Sequence, residues 1–208
     1  NFNCIDSVKK TIEVYDLPVA NFTPDITNGC EPLPVIYTDH TTSTDGTLVD
    51  WKWDLGNDTM PTTQYTSTIY PVHGSYTVSL ITTTSFGCND TVIYPDLITV
   101  YPNPTAAFTY DPEHPTILNP IVYFTDKSLL TDFWTYTFGD SSSASNLQSP
   151  AHEYLAPGTY EVTQIVMTRF GCFDTIKAVL EVAPQYAFYL PGAFSPNNDG
   201  MNDYFFGK

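Results

Sequence analysis

Four histidines, four cysteines and several Asp/Asn clusters are the residues with chemistry available to them in this 208-residue chain. The histidines (His40, His73, His114 and His152) are scattered, and none belongs to a His-Glu-x-x-His metal motif. No Gly-x-Ser-x-Gly elbow and no phosphate-cradling glycine loop occurs. Ser, His and Asp paired without a motif do not specify nucleophilic catalysis, because that chemistry needs fixed geometry rather than composition. No catalytic residue is therefore assigned, and a non-enzymatic chain is expected. The cysteines lack the close spacing of a zinc site. The acidic clusters are Asp54 and Asp58, Asp140, and the tail "NNDG" from Asn197 to Gly200. Oxygen donors beside a glycine suit calcium, but Asp and Asn also cap turn amides with the same groups.

The charge excludes some partners. Lys and Arg total 7 against 23 Asp and Glu, a formal charge of −16. Such a chain repels nucleic acid and anionic lipid. No apolar run reaches the ~18–20 residues of a bilayer span, and no signal peptide is visible. Both ends are expected to be cuts through a longer protein.

The elements that carry these residues read as β-strands. Thr, Tyr, Val, Ile and Phe dominate, helical periodicity is missing, and short alternating runs such as "YTVSLITT" from Tyr76 lie between Pro, Gly, Asn and Asp clusters. In that run Tyr76, Val78 and Leu80 share one face.

An internal repeat sets the organisation. "CIDSVKKTIEV" at Cys4, "CNDTVIYPDLITV" at Cys88 and "CFDTIKAVLEV" at Cys172 lie 84 residues apart. "GSYTV" at Gly74 and "GTYEV" at Gly158 keep that spacing; "VIYTD" at Val35 and "VYFTD" at Val122, and "WDLGND" at Trp53 and "YTFGDS" at Tyr136, come within a few residues of it. Residues 1–17 are expected to be the last strands of a preceding copy. Residues 18–101 and 102–185 are two complete copies, and 186–208 open a new segment. Pro102 and Pro104 restrict the connection and favour an extended row.

The repeats resemble PKD (polycystic kidney disease) domains. That family carries a Trp-Asp-Phe-Gly-Asp-Gly-like turn, a His-x-Tyr element and Gly-Thr-Tyr-x-Val. The counterparts here are "WKWDLGND" from Trp51 with "TIYPVHGSYTVSL" from Thr68, and "FWTYTFGDSS" from Phe133 with "HEYLAPGTYEV" from His152. Thr137 replaces the motif Asp in the second copy, and Thr68 the motif His in the first. The resemblance implies an all-β fold of tandem immunoglobulin-like β-sandwiches. In such a sandwich Trp51 and Trp134 fill space between sheets, and Gly56 and Gly139 permit the turn that follows.

Cys30 and Cys88 are the two cysteines of the first complete copy, so a Cys30–Cys88 disulfide is expected in a secreted domain. Ile117 is taken to stand where the second copy would have its counterpart of Cys30, which would leave Cys172 free and buried. Asp-Ser/Thr-apolar triplets place Ser7, Thr59, Thr91 and Thr175 in a form that resembles a Bacteroidetes O-glycan acceptor. Asp-Thr is equally a turn-to-strand transition.

The tail "LPGAFSPNNDGMNDYF" from Leu190 resembles the start of the gliding-motility-associated C-terminal domain, the type B sorting signal of the type IX secretion system. The resemblance implies recognition by the outer-membrane translocon or its shuttle protein through Phe194, Asn197, Asp199, Gly200, Asn202 and Asp203. Asn197, Asp199 and Asp203 are also the oxygen donors for calcium or for an Asx-stabilised turn. The implied protein is secreted or surface-bound after export through the periplasm. Its modules serve as a stalk or adhesin, with extracellular glycans or proteins as partners. The alternative is the spacer and export tail of a secreted hydrolase.

Overall fold

A computed structural model describes residues 6–184, and these form strands with no helix among them. The first repeat contains β1 (Phe22–Pro24), β2 (Asn28–Cys30), β3 (Leu33–Asp39), β4 (Leu48–Asp54), β5 (Thr66–Tyr70), β6 (Gly74–Thr84) and β7 (Asn89–Tyr101). The second contains β8 (Phe108–Asp111), β9 (Ile121–Asp126), β10 (Phe133–Thr137), β11 (Ala151–Glu153), β12 (Gly158–Met167) and β13 (Phe173–Val182).

Each repeat is two sheets face to face. In the first, β1-β3-β5 packs on β2-β7-β6-β4; in the second, β8-β9-β11 packs on β10-β12-β13. The strands are antiparallel except β2, which runs parallel to the end of β7 with Cys30 beside Tyr101. Alternation drives the layering: β3 reads buried, exposed, buried along Leu33–Asp39, as a half-solvated sheet requires.

The first core joins Phe22, Val35, Tyr37, Trp53, Leu55, Tyr70, Val78, Leu80, Ile98 and Val100, with Trp51 and Tyr76 packed at its margin. The second joins Val122, Phe124, Tyr136, Phe138, Tyr154, Val162, Leu180 and Val182, with Trp134 at its margin. The tandem β-sandwich expected from the repeat is the observed fold. Residues 6–17, read above as strands of a preceding copy, form no strand. Val8, Ile12 and Val14 stand exposed there.

Candidate functional site: the turn motif and the junction between repeats

The Gly turn is built alike in both repeats. Gly56 and Gly139 have φ of +74° and +80°, and a Cβ on either would fall 2.5 Å from Thr77 O or 2.7 Å from Glu161 O. Backbone approach and left-handed φ together demand glycine. Before the turn, Trp51 Nε1–H donates to Asp39 at 2.8 Å and Trp134 Nε1–H to Asp126 at 2.9 Å. Behind it, Tyr70 donates to Leu55 O at 2.8 Å and Tyr154 to Phe138 O at 3.1 Å. Tyr37 and Tyr70 are 2.7 Å apart. Since Tyr70 spends its proton on Leu55, Tyr37 is the donor of that pair. Burial raises the pKa of Tyr37, Tyr70 and Tyr154, so these hydroxyls stay protonated donors.

The acidic residues of the motif serve the turn. The Asp54 carboxylate accepts from Gly56 N–H at 2.9 Å, and that of Asp140 from Ser142 N–H at 3.1 Å. Asp140 also meets His152 Nε2 at 2.7 Å, with the His ring stacked on Phe138 at 4.0 Å. Burial alone would raise the Asp140 pKa, but hydrogen bonds from Ser142 and His152 outweigh it and hold it down at about 2. In the first repeat Asn57 and Thr68 replace this pair, joined at 3.0 Å. The loss of the motif His at Thr68 is thus coupled to Asn57, an uncharged pair standing where the second repeat has the Asp140 carboxylate and His152.

Two of the other three histidines engage separately: His40 with Thr23, and His73 with Glu31. Among the described residues no cluster of three or more His, Cys, Asp and Glu could hold a metal. Phe194, Asn197, Asp199, Gly200, Asn202 and Asp203 lie outside the described residues. Ser7, Thr91 and Thr175 are exposed, and Thr59 is half-buried. The Asp of two acceptor triplets also has a structural task. Asp90 accepts from Ala20 N–H at 2.9 Å and Asp174 from Ala106 N–H at 2.8 Å, each pinning the start of its own repeat to its last strand.

The cysteines require a correction. Cys30 bonds to Cys172, 142 residues on, and Cys88 is free. Cys30 lies beside Tyr101 at the end of β7, whereas Cys88 precedes the start of that strand. Thirteen residues of extended chain place the two about 40 Å apart, while a disulfide needs Cα atoms roughly 4.4–6.8 Å apart. Cys172 is therefore buried, as expected, but bonded rather than free. The counterpart of Cys30 also shifts by one residue. Thr116 bridges Ala183 in parallel as Cys30 does Tyr101, and Ile117 N–H donates to Ala183 O as Glu31 N–H does to Tyr101 O. Ile117 thus matches Glu31.

Around that bond the repeats are joined by more than the linker. Phe170 stacks on Tyr101 with centroids 4.0 Å apart and planes within 4°. The Glu31 carboxylate accepts from His73 N–H at 2.7 Å and from the linker's Asn103 N–H at 3.2 Å, and Asn103 Nδ2 donates to Glu31 O. Burial pushes the Glu31 pKa up, yet the bonds from His73 and Asn103 prevail and lower it. The covalent bond, the stack and the clamp on Asn103 fix both sides of the Pro102–Pro104 connection. Sequence reasoning missed this junction. Its visible signal was "EVYDLP" at Glu13 matching "TVYPNP" at Thr99, each ahead of a conformationally restricted linker.

Two β-sandwiches in tandem, with a glycine turn, a Trp–carboxylate bond and a Tyr–carbonyl bond repeated in each, define an immunoglobulin-like repeat module. The chain belongs to the PKD domain family, whose model matches residues 15–100 and 121–183. It is similar to the PKD1 domain of the Vibrio cholerae metalloprotease PrtV, at 32% identity over 41% of this chain and 98% of that one, with a TM-score of 0.36. The PKD1 domain of Vibrio anguillarum Epp gives 32% identity over 42% and 100%, with a TM-score of 0.38. A 1.5-MDa bacterial ice-binding adhesin gives 8% identity over 83% and 66%, with a TM-score of 0.40. No curated protein matches the chain.

Proposed function

We propose that this chain is a non-catalytic stalk of a secreted or cell-surface protein, its PKD repeats holding a functional end at a distance. The observation that carries the reading is the Cys30–Cys172 bond between successive repeats, beside the Tyr101–Phe170 stack. A spacer must resist bending where modules meet, and a cross-link beside a short Pro-containing connection does that. A disulfide also belongs to an oxidising compartment. Spin labels on an exposed strand position of each repeat test the role. A narrow inter-repeat distance distribution is expected, broadening in Cys30→Ser. Equal widths in both proteins refute the stalk role of the bond.

Residues 186–208 begin a sorting domain of the type IX secretion type, and the translocon or its shuttle protein is the partner. The dense "LPGAFSPNNDGMNDYF" resemblance supports this, with Phe194, Asn197, Asp199, Gly200, Asn202 and Asp203 as the recognised residues and calcium as a candidate ligand of Asn197, Asp199 and Asp203. Deleting the full domain from Tyr186 onward should leave the repeats folded but retained in the periplasm. Normal surface delivery of the truncated protein refutes it. Exposed Thr91 and Thr175 are the acceptors we assign to O-glycosylation, and extracellular glycans or proteins are the partners of an adhesive stalk.

A further inference from the structure

The start of the first repeat is built like the junction between the two repeats. Tyr15 stacks on Phe86 with centroids 4.0 Å apart and planes within 11°, as Tyr101 does on Phe170. Two residues beyond each Phe stands a cysteine in the same turn: Thr84 N–H donates to Cys88 O at 2.8 Å, and Thr168 N–H to Cys172 O at 2.8 Å. Cys172 is bonded to Cys30 and Cys88 is not. The position of Cys30 explains why the stack and the bond occur together. On β2, Cys30 sits in register beside Tyr101, so the aromatic stack brings Cys172 to it.

A separate observation points to what belongs at the other junction. Ile12 and Val14 are 84% and 88% exposed, whereas their counterparts in β7, Ile98 and Val100, are 0% and 3% exposed. Leu180 and Val182 at the end of β13 are likewise buried, at 0% and 1%. Residues 6–14 therefore carry the side chains of a repeat's last strand without the sandwich that would cover them. Apolar side chains at these positions are patterned for burial, so a preceding copy of the repeat is the occupant their pattern specifies.

We propose that Cys88 is disulfide-bonded to a cysteine of the preceding repeat, on that repeat's counterpart of the Asn28–Cys30 strand, beside Tyr15. The bond forms by thiol–disulfide exchange. Both S–H bonds break, their protons pass to the reduced oxidant, and one S–S bond forms. The two electrons reduce the disulfide of a thiol oxidoreductase, or oxidised glutathione in vitro, to two thiols. The junctions before and after the first repeat then each carry one covalent bond, while the second repeat has Thr116 at the position of Cys30. This extends the joined row proposed above, yet its test is separate, since loss of the Cys88 bond leaves Cys30–Cys172 intact.

The test uses the full-length protein isolated without reductant, alkylated under denaturing conditions and mapped as unreduced peptides. The Cys88 peptide is expected linked to a peptide of the preceding repeat. Cys88→Ser should expose one new alkylated cysteine in that repeat while Cys30 stays linked to Cys172. Alkylated Cys88 in the unreduced protein, a link to Cys4 or to a second molecule, or a preceding repeat with no cysteine on that strand each overturns the proposal. So does a Cys88→Ser protein with no new thiol.

Discussion

Asp140 offers a perturbation whose size follows from its surroundings. Its side chain is 17% exposed and that of His152 14% exposed, so solvent screening takes little from the interaction. The carboxyl falls from 3.8 to about 2 on folding. At 1.36 kcal/mol per unit, ionised Asp140 adds about 2 kcal/mol to the stability of the second repeat. Because the folded pKa is the lower one, that contribution is complete above the unfolded value of 3.8 and fades as pH falls through about 2. Asp140→Asn removes the titration. Urea unfolding of the second repeat reads the effect through Trp134 fluorescence, with Trp51 and Trp53 replaced by Phe in both proteins. The stability gap between the Asp and Asn forms should shrink by about 2 kcal/mol between pH 5.5 and pH 2. The double variant Asp140→Asn with His152→Thr recreates the Asn57–Thr68 pair and should show no such pH dependence. A gap that stays constant across this range would refute the assignment of the depressed carboxyl to the turn bonds.

Three further outcomes follow from the same geometry. Gly139→Ala forces a Cβ to within 2.7 Å of Glu161 O at φ +80°; urea midpoints should show a loss of more than ~2 kcal/mol, and a neutral result would remove the backbone contact as the reason for glycine. Tyr70→Phe leaves Leu55 O and the Tyr37 hydroxyl without partners and should cost about 2–4 kcal/mol. Tyr37→Phe, which installs the residue type of Phe124, should cost about 1 kcal/mol or less; equal losses from the two variants would contradict the donor order inferred for the pair. Lowering pH through the carboxylate range protonates Glu31, whose folded pKa is depressed, and frees Asn103. Hydrogen exchange at Asn103 should therefore quicken relative to its intrinsic rate as pH falls, and Glu31→Gln should flatten that response.

The sandwich was legible in the sequence because its determinants are local. Gly56, Gly139 and the alternation around Val78 and Leu80 mark turns and faces within a few residues. The repeat then locates each element twice. The Trp51–Asp39 and Trp134–Asp126 bonds were less legible, since their partners lie on different strands and become neighbours only when the sheets stack. The disulfide was misread for a related reason. Counting cysteines within one copy ignores which end of β7 each occupies. Cys30 and Cys88 belong to one repeat yet lie at opposite ends of it, and Cys172 reaches Cys30 only through the junction. Thr68 was visible as a departure from the motif, whereas its coupling to Asn57 emerged only from their contact.

The covalent joining of consecutive repeats is tested most directly by peptide mapping of residues 1–208, oxidised, unreduced and alkylated in denaturant. A Cys30–Cys172 linked pair with Cys88 alkylated is the predicted result. A Cys30–Cys88 pair with Cys172 alkylated would contradict it.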